Sequence, residues 1–446
     1  MKPDTYDIDG YAVPVRFRPD VCVVGAGAAG VSAAVAAARC GLSVLLIEKY
    51  GFCGGATVAG LSGTICGLYA SGVGEPRQIV FGFADEFYRG LRERGGVQEP
   101  VPFGQTYLLP HDAFVWKETA DALLAEAGVE VRFHTRFLDA WRGEADGRVH
   151  TLLVVGQEGQ YAIQPTYVVD ASGDAAVLHA VGGETYLGDN GTVQTPTMIF
   201  KMGNVDTEAF AKLDPREIDR AVIAADRAGR YALPRHHVYV FPSPNTREVL
   251  CNMTRITFPD GSTPLGIDSG DLTYAETAGR RQARAYCEFL KEAFPAAFGA
   301  AHMVDTGVQV GIRQSRSIVG HRQLTNEDVL RARKYPGACT HSAWPIENHG
   351  AGELRIVYLE NDHYDVPFET LVPTVGSNLL VAGRCMSAEH EALASARVTG
   401  QCFGMGYAVG AAVGLMCAEG RGSQQLTGVD VLNYMKQRGL KNSYEQ

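Results

Sequence analysis

The sequence lacks the features that would carry the chain into or across a membrane. Its 446 residues contain no uninterrupted apolar run approaching the roughly 20 residues that a spanning helix needs. The opening stretch, MKPDTYDIDG, has neither the basic nor the apolar region of a secretory signal and is unlike a transit peptide. We therefore expect a cytoplasmic protein without a membrane span.

Paired cysteines are also missing. The ten cysteines contain no CxxC pair, and most fall inside apolar runs such as VCVV and QCFGMG. In such surroundings cysteines behave as small buried hydrophobic residues, so neither a disulfide framework nor a metal site is indicated. The absence of CxxC also argues against a redox-active dithiol.

No block of Lys and Arg is present, and the net charge is −10. Nucleic acid is therefore not expected as a partner, and solubility accounts for the acidic balance. The chain is longer than one hydrophobic core usually serves, which predicts two domains able to enclose a bound molecule. The sequence leaves open whether the protein forms a homo-oligomer.

The first strong positive signal is VCVVGAGAAGVSAAVAAARCGLSVLLIEKYG, which starts at Val21. It predicts an apolar strand, a glycine turn, an Ala-rich helix and a second strand. Gly25, Gly27 and Gly30 form GxGxxG at the turn, where they permit a tight bend, approach of a pyrophosphate and close helix packing. Glu48 ends the second strand at the spacing of a ribose-binding acid, so the unit predicts a dinucleotide site.

Further glycine-rich segments favour FAD over NAD as that dinucleotide. Residues 51–63 follow the ribose acid directly, and their glycines allow backbone to pass close to a bulky ring system. VVDASGDA at 168–175 and NLLVAGR at 378–384 predict two more strands that end in a turn. An NAD dehydrogenase needs neither of these two strand-turn segments.

The order of predicted elements indicates an α/β fold. A Rossmann-like domain with a parallel sheet and a small antiparallel meander is expected over 20–184 and 346–446, after a lead-in at 1–19 with a short edge strand. Residues 185–345 combine strand-like pieces with a polar helix from about 271 to 294, which predicts an inserted α+β substrate or cap domain.

Several segments together resemble one known family. EKYGFCGG, VVDASGD, GIRQSRSIVG, PIENH and NLLVAGRCMSAEHEALASARVTGQCFGMGYAVGAA are similar to FAD-dependent oxidoreductases of the glutathione-reductase-type superfamily, related to succinate dehydrogenase and fumarate reductase flavoproteins. The resemblance implies that the last long helix, beginning near Gly400, points its N-terminus at the N1/C2 carbonyl edge of the flavin. The expected cofactor contacts are Gly25, Gly27, Ala28, Ala29, Gly30, Glu48, Lys49, Gly54, Gly55, Ala56, Thr57, Asp170, Ala171, Gly173, Asp174, Gly383, Arg384 and Gly400.

Relatives with covalently bound flavin carry a histidine in the glycine-rich loop after the second strand. This chain has Cys53, Thr57 and Thr64 there instead. We therefore expect FAD to be bound without a covalent link, with Cys53 and Cys66 as the thiols that could form one.

Hydride transfer also requires groups that orient the substrate and accept a proton. The candidates for the base are His349 and His390. His390 lies where the succinate and fumarate relatives place a substrate-binding histidine, and six residues separate it from Arg397, which resembles their substrate arginine. The predicted substrate-binding residues are Arg313, Arg316, Arg397, Tyr358 and Tyr364.

The remaining histidines considered, His236, His237, His321 and His341, lack such context and are interpreted as surface or structural residues. GMGYAVG at 404–410 lies inside a small-residue helix, so close helix packing explains it better than a second nucleotide site.

The function expected from the sequence is that of a dehydrogenase or oxidase that takes hydride from a small polar organic substrate. Two alternatives stay open: reduction of an activated C=C bond, and a flavin-binding or electron-relay subunit of a complex. Because a second βαβ fingerprint is missing, an NAD(P)H domain is not expected. The electron acceptor is then oxygen, a quinone, a carrier protein or a second substrate.

Overall fold

The fold is described from a computed structural model, which describes residues 5–8, 11–72, 74–349, 354–360 and 362–441. Its helices, in chain order, are α1 (Ala28–Arg39), α2 (Phe83–Glu93), α3 (Ala113–Glu126), α4 (Ala176–Ala180), α5 (Thr207–Phe210), α6 (Pro215–Arg227), α7 (Ser269–Ala293), α8 (Pro295–Phe298), α9 (Asn326–Leu330), α10 (His390–Ala396), α11 (Thr399–Glu419) and α12 (Gly428–Gln437).

Short 3-10 turns lie at Gly55–Thr57, Phe368–Leu371 and Ser423–Gln425. The strands are β1 (Thr5–Ile8), β2 (Tyr11–Phe17), β3 (Val21–Val24), β4 (Val44–Ile47), β5 (Thr64–Ile65), β6 (Val101–Phe103), β7 (Thr106–Pro110), β8 (Glu130–Arg132), β9 (Arg136–Arg142), β10 (Val149–Gly156), β11 (Gly159–Ile163), β12 (Tyr167–Asp170), β13 (Thr185–Leu187), β14 (Phe200–Gly203), β15 (Tyr239–Pro242), β16 (Val249–Asn252), β17 (His302–Thr306), β18 (Arg316–Ile318), β19 (Ala338–Ser342), β20 (Ile346–Asn348), β21 (Arg355–Val357), β22 (Tyr364–Pro367) and β23 (Leu379–Val381).

The central sheet is parallel and has the strand order β23-β12-β3-β4-β8. Strands β3, β4, β12 and β23 are buried along their whole length, as expected for a parallel sheet covered on both faces. The predicted α/β class with a βαβ unit is confirmed. Because parallel strands share one direction, the loops that follow β3, β4, β12 and β23 all gather at the same edge of the sheet.

Local sequence signals set the ends of the helices that flank this sheet. Helix α1 stops where Gly41 takes φ +89°, a left-handed conformation that favours glycine. Helix α3 starts at Asp112, whose Oδ1 accepts hydrogen bonds from Phe114 N at 2.8 Å and Val115 N at 3.0 Å. It ends just before Gly128, which has φ +74° and is the C-terminal stop that the sequence predicts.

The meander β9-β10-β11 is antiparallel, as predicted, and the N-terminal segment extends it. Strand β2 pairs in parallel with β11, and β1 pairs with β2, giving the order β1-β2-β11-β10-β9. Val13, Leu153 and Ala162 form a small buried cluster on this sheet. Strand β2, which the sequence predicts to be an edge strand, therefore lies inside the sheet with β1 at the edge, because alternating apolar residues in AVPVRF give β2 a face to bury.

A second hydrophobic core surrounds an antiparallel sheet of order β15-β16-β14-β17. Helix α7, capped by Asp268, packs here and matches the polar helix predicted between about 271 and 294. The buried residues of this core run from Met198 to Ile312, whereas Ile318 already belongs to the first core. The predicted boundaries at 184/185 and 345/346 stay predictions, and the second core lies between them.

Helix α11 packs along α1 through a ridge of glycines. A Cβ atom on Gly406 would lie 2.0 Å from Ala29 O, and one on Gly410 would lie 2.2 Å from Ala33 O. The glycines of GMGYAVG therefore serve close packing of α11 on α1, as the sequence predicts. In the described residues α11 is the one helix long and apolar enough to cross a membrane, but 89% of its most apolar window is buried inside the protein.

Candidate functional site

A long cleft lies at the carboxyl edge of the parallel sheet, and we call it the cofactor cleft. Fifteen of the predicted cofactor contacts line it: Gly25, Gly27, Ala28, Ala29, Glu48, Lys49, Gly54, Gly55, Ala56, Thr57, Ala171, Gly173, Asp174, Gly383 and Arg384. These residues come from four separate loops, which the parallel sheet brings to one edge.

The three motif glycines have three different surroundings. Gly25 has φ +99°, and a Cβ atom there would lie 2.6 Å from Ala171 O. A Cβ atom on Gly30 would lie 1.8 Å from Gly25 O, so Gly30 is needed for packing of α1 on the turn. A Cβ atom on Gly27 would meet only Gly55 Cα, at 3.9 Å, and would otherwise stand in the open cleft.

The N-terminus of α1 faces this opening without a competing anion. Its N-cap residue is Gly27, which supplies no side-chain hydrogen bond, and the first turn contains no acidic residue. The first backbone N–H groups of a helix lack partners inside the helix and carry the positive end of its dipole. This end of α1 therefore fits a pyrophosphate.

Glu48 is buried and holds the turn at the same time as it lines the cleft. Its Oε2 accepts a hydrogen bond from Ala26 N at 2.8 Å, and its Oε1 accepts one from Tyr50 N at 3.0 Å. Each carboxylate oxygen keeps further acceptor capacity for a ribose hydroxyl.

Three predicted contacts, Gly30, Asp170 and Gly400, do not line the cleft. The Asp170 carboxylate instead accepts hydrogen bonds from Ser172 N at 3.1 Å and Val177 N at 2.8 Å, and its complete burial raises its pKa. Gly400 N donates to Cys66 O at 2.9 Å, which fixes the start of α11 against the loop after β5. These residues shape the walls of the cleft from behind.

The rim opposite α1 is formed by a charged pair. Arg384 Nη2 donates to Asp174 Oδ1 at 2.7 Å, and Arg384 Nε donates to Gly173 O at 2.8 Å. Ser315 Oγ donates to the same Asp174 oxygen at 2.6 Å. Because Ser315 follows the second core in sequence, this network ties that part of the chain to the cleft.

A second contact closes the cleft from the side of the second core. The Tyr50 hydroxyl donates to Gln309 Oε1, and Lys49 Nζ lies 3.3 Å from the same oxygen. Tyr50 and Gln309 both line the cleft and were missed from the sequence, because their meeting depends on how distant segments pack.

A further cavity, which we call the front pocket, adjoins the cofactor cleft. Seven residues line both cavities: Ala56, Thr57, Gly60, Gly311, Ile312, Arg397 and Thr399. One wall is aromatic. Phe103 and Trp344 stack with ring centroids 5.1 Å apart, and Tyr239 lies 4.9 Å from Phe103. The other wall is polar and carries Asn252, Arg313, Glu347, His349 and Arg397.

The two arginines of the front pocket are held by neutral groups. Arg313 Nη1 donates to Thr195 O at 2.7 Å, and Arg397 Nη2 donates to Gln194 Oε1 at 3.0 Å. Within the described ranges neither has a carboxylate oxygen within 4.0 Å. Burial lowers the pKa of Arg397 to about 10 and that of Arg313 well below its usual range.

His349 lies among these charges. Its side chain is buried, and its backbone carbonyl accepts hydrogen bonds from Thr195 N at 3.0 Å and Thr195 Oγ1 at 2.9 Å. Burial, then the positive charges of Arg313 and Arg235, hold the pKa of His349 well below its ordinary value. The imidazole is therefore neutral at physiological pH, and the same positive charges oppose its protonation until an anion offsets them.

The other predicted substrate residues line neither the cofactor cleft nor the front pocket. Arg316 Nη1 donates to Asp174 O at 3.4 Å, and the fully buried Tyr364 hydroxyl bonds to Ser395 Oγ at 2.7 Å. The Tyr358 hydroxyl packs against Gly104. Their contacts are structural, and of the predicted set the pocket brings together Arg313, Arg397 and His349.

His390 also lies outside both cavities. It begins α10, whereas Arg397 is the C-cap residue of that helix. Gln194 lies between them: its Nε2 donates to His390 O at 3.5 Å, and its Oε1 accepts from Arg397 Nη2 at 3.0 Å. Burial lowers the pKa of His390, and its Nδ1 has no hydrogen-bond partner among the described residues.

Three of the four histidines interpreted as surface or structural, His236, His237 and His341, form hydrogen bonds with aspartates, and the fourth, His321, is exposed. His341 is buried, and its Nδ1 lies 2.7 Å from Asp365 Oδ1. His363 completes a group with these two whose potential ligand atoms lie within 4.8 Å of one another. The direct hydrogen bond between His341 and Asp365 explains why these two side chains lie together. The expectation that the chain has no metal site stays a prediction.

Comparison with known proteins identifies the chain. The family model described as FAD dependent oxidoreductase matches residues 20–435. The chain belongs to this family. No curated protein sequence matches it.

Three solved structures are similar to the chain at low sequence identity. The oxidoreductase aligns over 94% of its length with 83% of a geranylgeranyl bacteriochlorophyll reductase-like protein from Thermoplasma acidophilum, at 13% identity and a TM-score of 0.50. It covers 66% of OxyS anhydrotetracycline hydroxylase from Streptomyces rimosus, with 95% of its own length aligned, 14% identity and a TM-score of 0.44. It covers 62% of aklavinone-11 hydroxylase, solved with FAD and aklavinone, with 90% aligned, 15% identity and a TM-score of 0.44.

The oxidoreductase thus uses FAD, and the cofactor cleft fits that group on its own geometry. The uncapped end of α1 suits the pyrophosphate, Glu48 suits the ribose, and Gly27 leaves the approach open. The resemblance inferred from EKYGFCGG and the later segments is confirmed at the level of the family.

Three cysteines of the oxidoreductase bear on how FAD is held. Cys53 is completely buried and lines neither cavity, whereas Cys66 lines the front pocket and Cys402 lines the cofactor cleft. Burial raises the pKa of Cys66 and Cys402 to about 12 and that of Cys53 above its usual range. A thiol held protonated is a poor nucleophile, which disfavours a link to the flavin.

Replacing Glu48 by Ala is expected to weaken FAD binding without ending it. Hydrogen bonds to a charged acceptor are worth roughly 1.5–3 kcal/mol, which corresponds to an increase in Kd of about 10- to 150-fold. Fluorescence titration of the apoprotein with FAD measures this change. Glu48→Gln is the matched control: it keeps an oxygen acceptor and is expected to lose less. Unchanged affinity in Glu48→Ala would remove Glu48 from the site.

Proposed function

We propose that this oxidoreductase removes hydride from a small polar organic substrate that carries an anionic group, and that the front pocket binds this substrate. The supporting observation is the pair Arg313 and Arg397, which have no carboxylate partner in the described residues. Buried positive charge without a partner is costly, and a substrate carboxylate would satisfy it with charge-assisted hydrogen bonds. FAD, when bound, supplies the two-electron acceptor.

The chain's own residues would divide the remaining work. Arg313 and Arg397 would hold the anionic group and so fix the orientation of the substrate. His349, neutral and buried, would accept the proton that leaves a hydroxyl or amino group as its carbon loses hydride. The stacked rings of Phe103 and Trp344 would exclude water from the opposite side.

FAD is proposed to be bound without a covalent link. Precipitation with acid should therefore release all of the flavin into the supernatant, because unfolding removes every contact that holds it. Absorbance of the supernatant and of the redissolved pellet measures the two fractions. Flavin that remains with the protein would contradict this, and Cys66→Ser and Cys402→Ser variants would then locate the attachment.

An anaerobic reduction screen tests the proposed function. Purified holoenzyme is mixed with pairs of hydroxy acids and their uncharged amides, and with matched amino acids and amides, while flavin absorbance near 450 nm is followed. Bleaching by one or more acids but not by the corresponding amides is expected. Bleaching by neutral compounds alone would overturn the requirement for an anion.

The same screen separates the two alternatives. If chemically reduced enzyme is reoxidised by unsaturated carboxylates while no saturated compound bleaches it, the reaction runs as C=C reduction. If no panel member changes the flavin in either direction and the protein copurifies with a partner, the relay role is favoured.

A further inference from the structure

The front pocket holds a carboxylate that does not pair with its arginines. Glu347 lies on β20, within PIENH, and lines the front pocket together with Arg313 and Arg397. Among the described residues no Lys, Arg or His nitrogen lies within 4.0 Å of its carboxylate oxygens. Side chains of opposite charge therefore share one cavity and stay apart in it.

The two carboxylate oxygens of Glu347 have different surroundings. Trp344 Nε1 donates to Oε2 at 3.1 Å, which fixes the carboxylate beside the edge of the indole. Oε1 has no hydrogen-bond partner in the described part of the chain, and it is not among the polar atoms that are closed off from solvent. Since a carboxylate oxygen can accept further hydrogen bonds, Oε1 is open to a ligand in the front pocket.

Glu347 lies where the polar wall of the front pocket meets the aromatic wall. Trp344, its hydrogen-bond partner, stacks on Phe103 with an angle of 9° between the rings, and Tyr239 stacks on Phe241 with ring centroids 5.9 Å apart. All four rings line the pocket. The faces of aromatic rings attract positive charge, so a carboxylate beside them forms an environment that suits a cationic nitrogen.

Balancing the charge of the arginines is the other role that Glu347 could have. Burial lowers the pKa of Arg397, and the negative charge of Glu347 opposes that shift, so the two groups do interact. A carboxylate that served only this role would be stabilised most in a direct ion pair, because the attraction grows as the charges approach. The observed separation instead leaves room for a molecule that brings both charges.

We infer that the front pocket binds a zwitterion, with its anionic group at Arg313 and Arg397 and its cationic nitrogen at Glu347 Oε1, beside the Trp344 ring. The inference rests on the proposed function, which assigns the anionic group to the two arginines. The cationic nitrogen is a second point of recognition and is distinct from the group whose proton passes to His349. An ammonium with N–H groups and a quaternary ammonium share this charge, and only the first can donate to Oε1.

The test compares ligands that differ in charge alone. Holoenzyme is titrated with ω-trimethylammonio carboxylates of graded chain length and with their tert-butyl counterparts, in which carbon replaces the nitrogen. Kd is read from the perturbation of the flavin spectrum. Zwitterions of the fitting length are expected to bind about 10-fold more tightly or better, because a desolvated cation beside a carboxylate and aromatic faces is stabilised by both. A third series, the ω-amino carboxylates, shows whether an N–H donor is preferred.

Substitutions of Glu347 test whether it is the contact. Glu347→Gln keeps an oxygen acceptor for Trp344 Nε1 and removes the charge, so the preference for zwitterions should disappear, whereas Glu347→Asp should keep part of it. Glu288→Gln, at an exposed glutamate of α7 that lies 3.9 Å from Arg284, is the matched control and should keep all of it. A preference that survives in Glu347→Gln would overturn the assignment to Glu347.

The wild-type comparison does not depend on any variant folding. Equal affinity for zwitterions and tert-butyl carboxylates would overturn the inference and leave the proposed function standing, because both series bring the carboxylate. Tighter binding of the tert-butyl series would likewise overturn it and would leave Glu347 as a charge balance for the arginines. Failure of both series to bind at any length would overturn the proposed function itself.

Discussion

Gly27→Val is expected to abolish retention of FAD while leaving the apoprotein folded. A Cβ atom at Gly27 would meet no protein atom closer than Gly55 Cα at 3.9 Å, so the fold has room for a side chain. That room is the approach to the N–H groups of α1, which a pyrophosphate would occupy. The two methyl groups would therefore displace the ligand and not the protein.

The expected loss of FAD affinity in Gly27→Val is at least about 100-fold, since several charge-assisted hydrogen bonds to the pyrophosphate are lost together. The ratio of absorbance at 450 nm to that at 280 nm reports flavin content, and thermal melting of both apoproteins reports the fold. Gly27→Ala adds one methyl group and should lose less. Full flavin occupancy in Gly27→Val would mean that the cofactor lies elsewhere.

Gly30→Ala provides the contrasting case within the same motif. Its Cβ atom would stand 1.8 Å from Gly25 O, so helix α1 itself would have to move. A loss of stability is expected there even without FAD, whereas Gly27→Val should melt as the wild-type apoprotein does. The two glycines thus separate the ligand-facing role from the packing role in one motif.

The cofactor cleft was predictable because its signals are local in sequence. The GxGxxG turn lies between β3 and α1, and Glu48 follows β4 within the same unit. Local glycine geometry and parallel strand order then suffice to bring the later loops, such as the one containing Gly383, to the same edge. The sequence could not distinguish residues that line the cleft from those behind it, such as Asp170, because that depends on side-chain direction.

The front pocket was only partly predictable, because it is assembled from distant segments. Phe103 stacks on Trp344 across more than 200 residues of chain, and Tyr239 packs against Phe103; no sequence pattern links the three. Arg235 also lay in a stretch without a recognisable motif. Arg313, Arg397 and His349 were found because each falls within a segment that resembles the family.

The segment after the second core shows a different limit. Ile318, Leu324, Val329, Cys339 and Ala343 pack into the first core, whereas the sequence predicts an insertion that extends to residue 345, and that boundary stays a prediction. Their short strands and loops have no periodicity long enough to assign them to either domain. Among them, β19 packs against α11, a contact that only the packed structure reveals.

His349→Ala is expected to lower the rate of anaerobic flavin reduction by about 10²–10⁴-fold, the usual contribution of a positioned general base. FAD content should stay normal, because His349 lines the front pocket and not the cofactor cleft. His390→Ala is the matched control. Its flavin should be reduced at a near-native rate, since His390 lines neither cavity. Stopped-flow absorbance with a substrate from the screen measures both rates.

The pH dependence of the reaction gives a second test of His349 as the base, separate from the loss of rate in His349→Ala. In the free enzyme, burial and then Arg313 and Arg235 hold the pKa of His349 well below its ordinary value. The neutral, proton-accepting form therefore persists as pH falls through 6.5, and kcat/KM should stay flat there. A bound carboxylate would offset the positive charges and raise the pKa of His349, so the acid limb of kcat should lie at higher pH than that of kcat/KM. In His349→Ala this separation should vanish. Its persistence, or a near-native rate in that variant, would remove His349 as the base and direct attention to Glu347 and Tyr239.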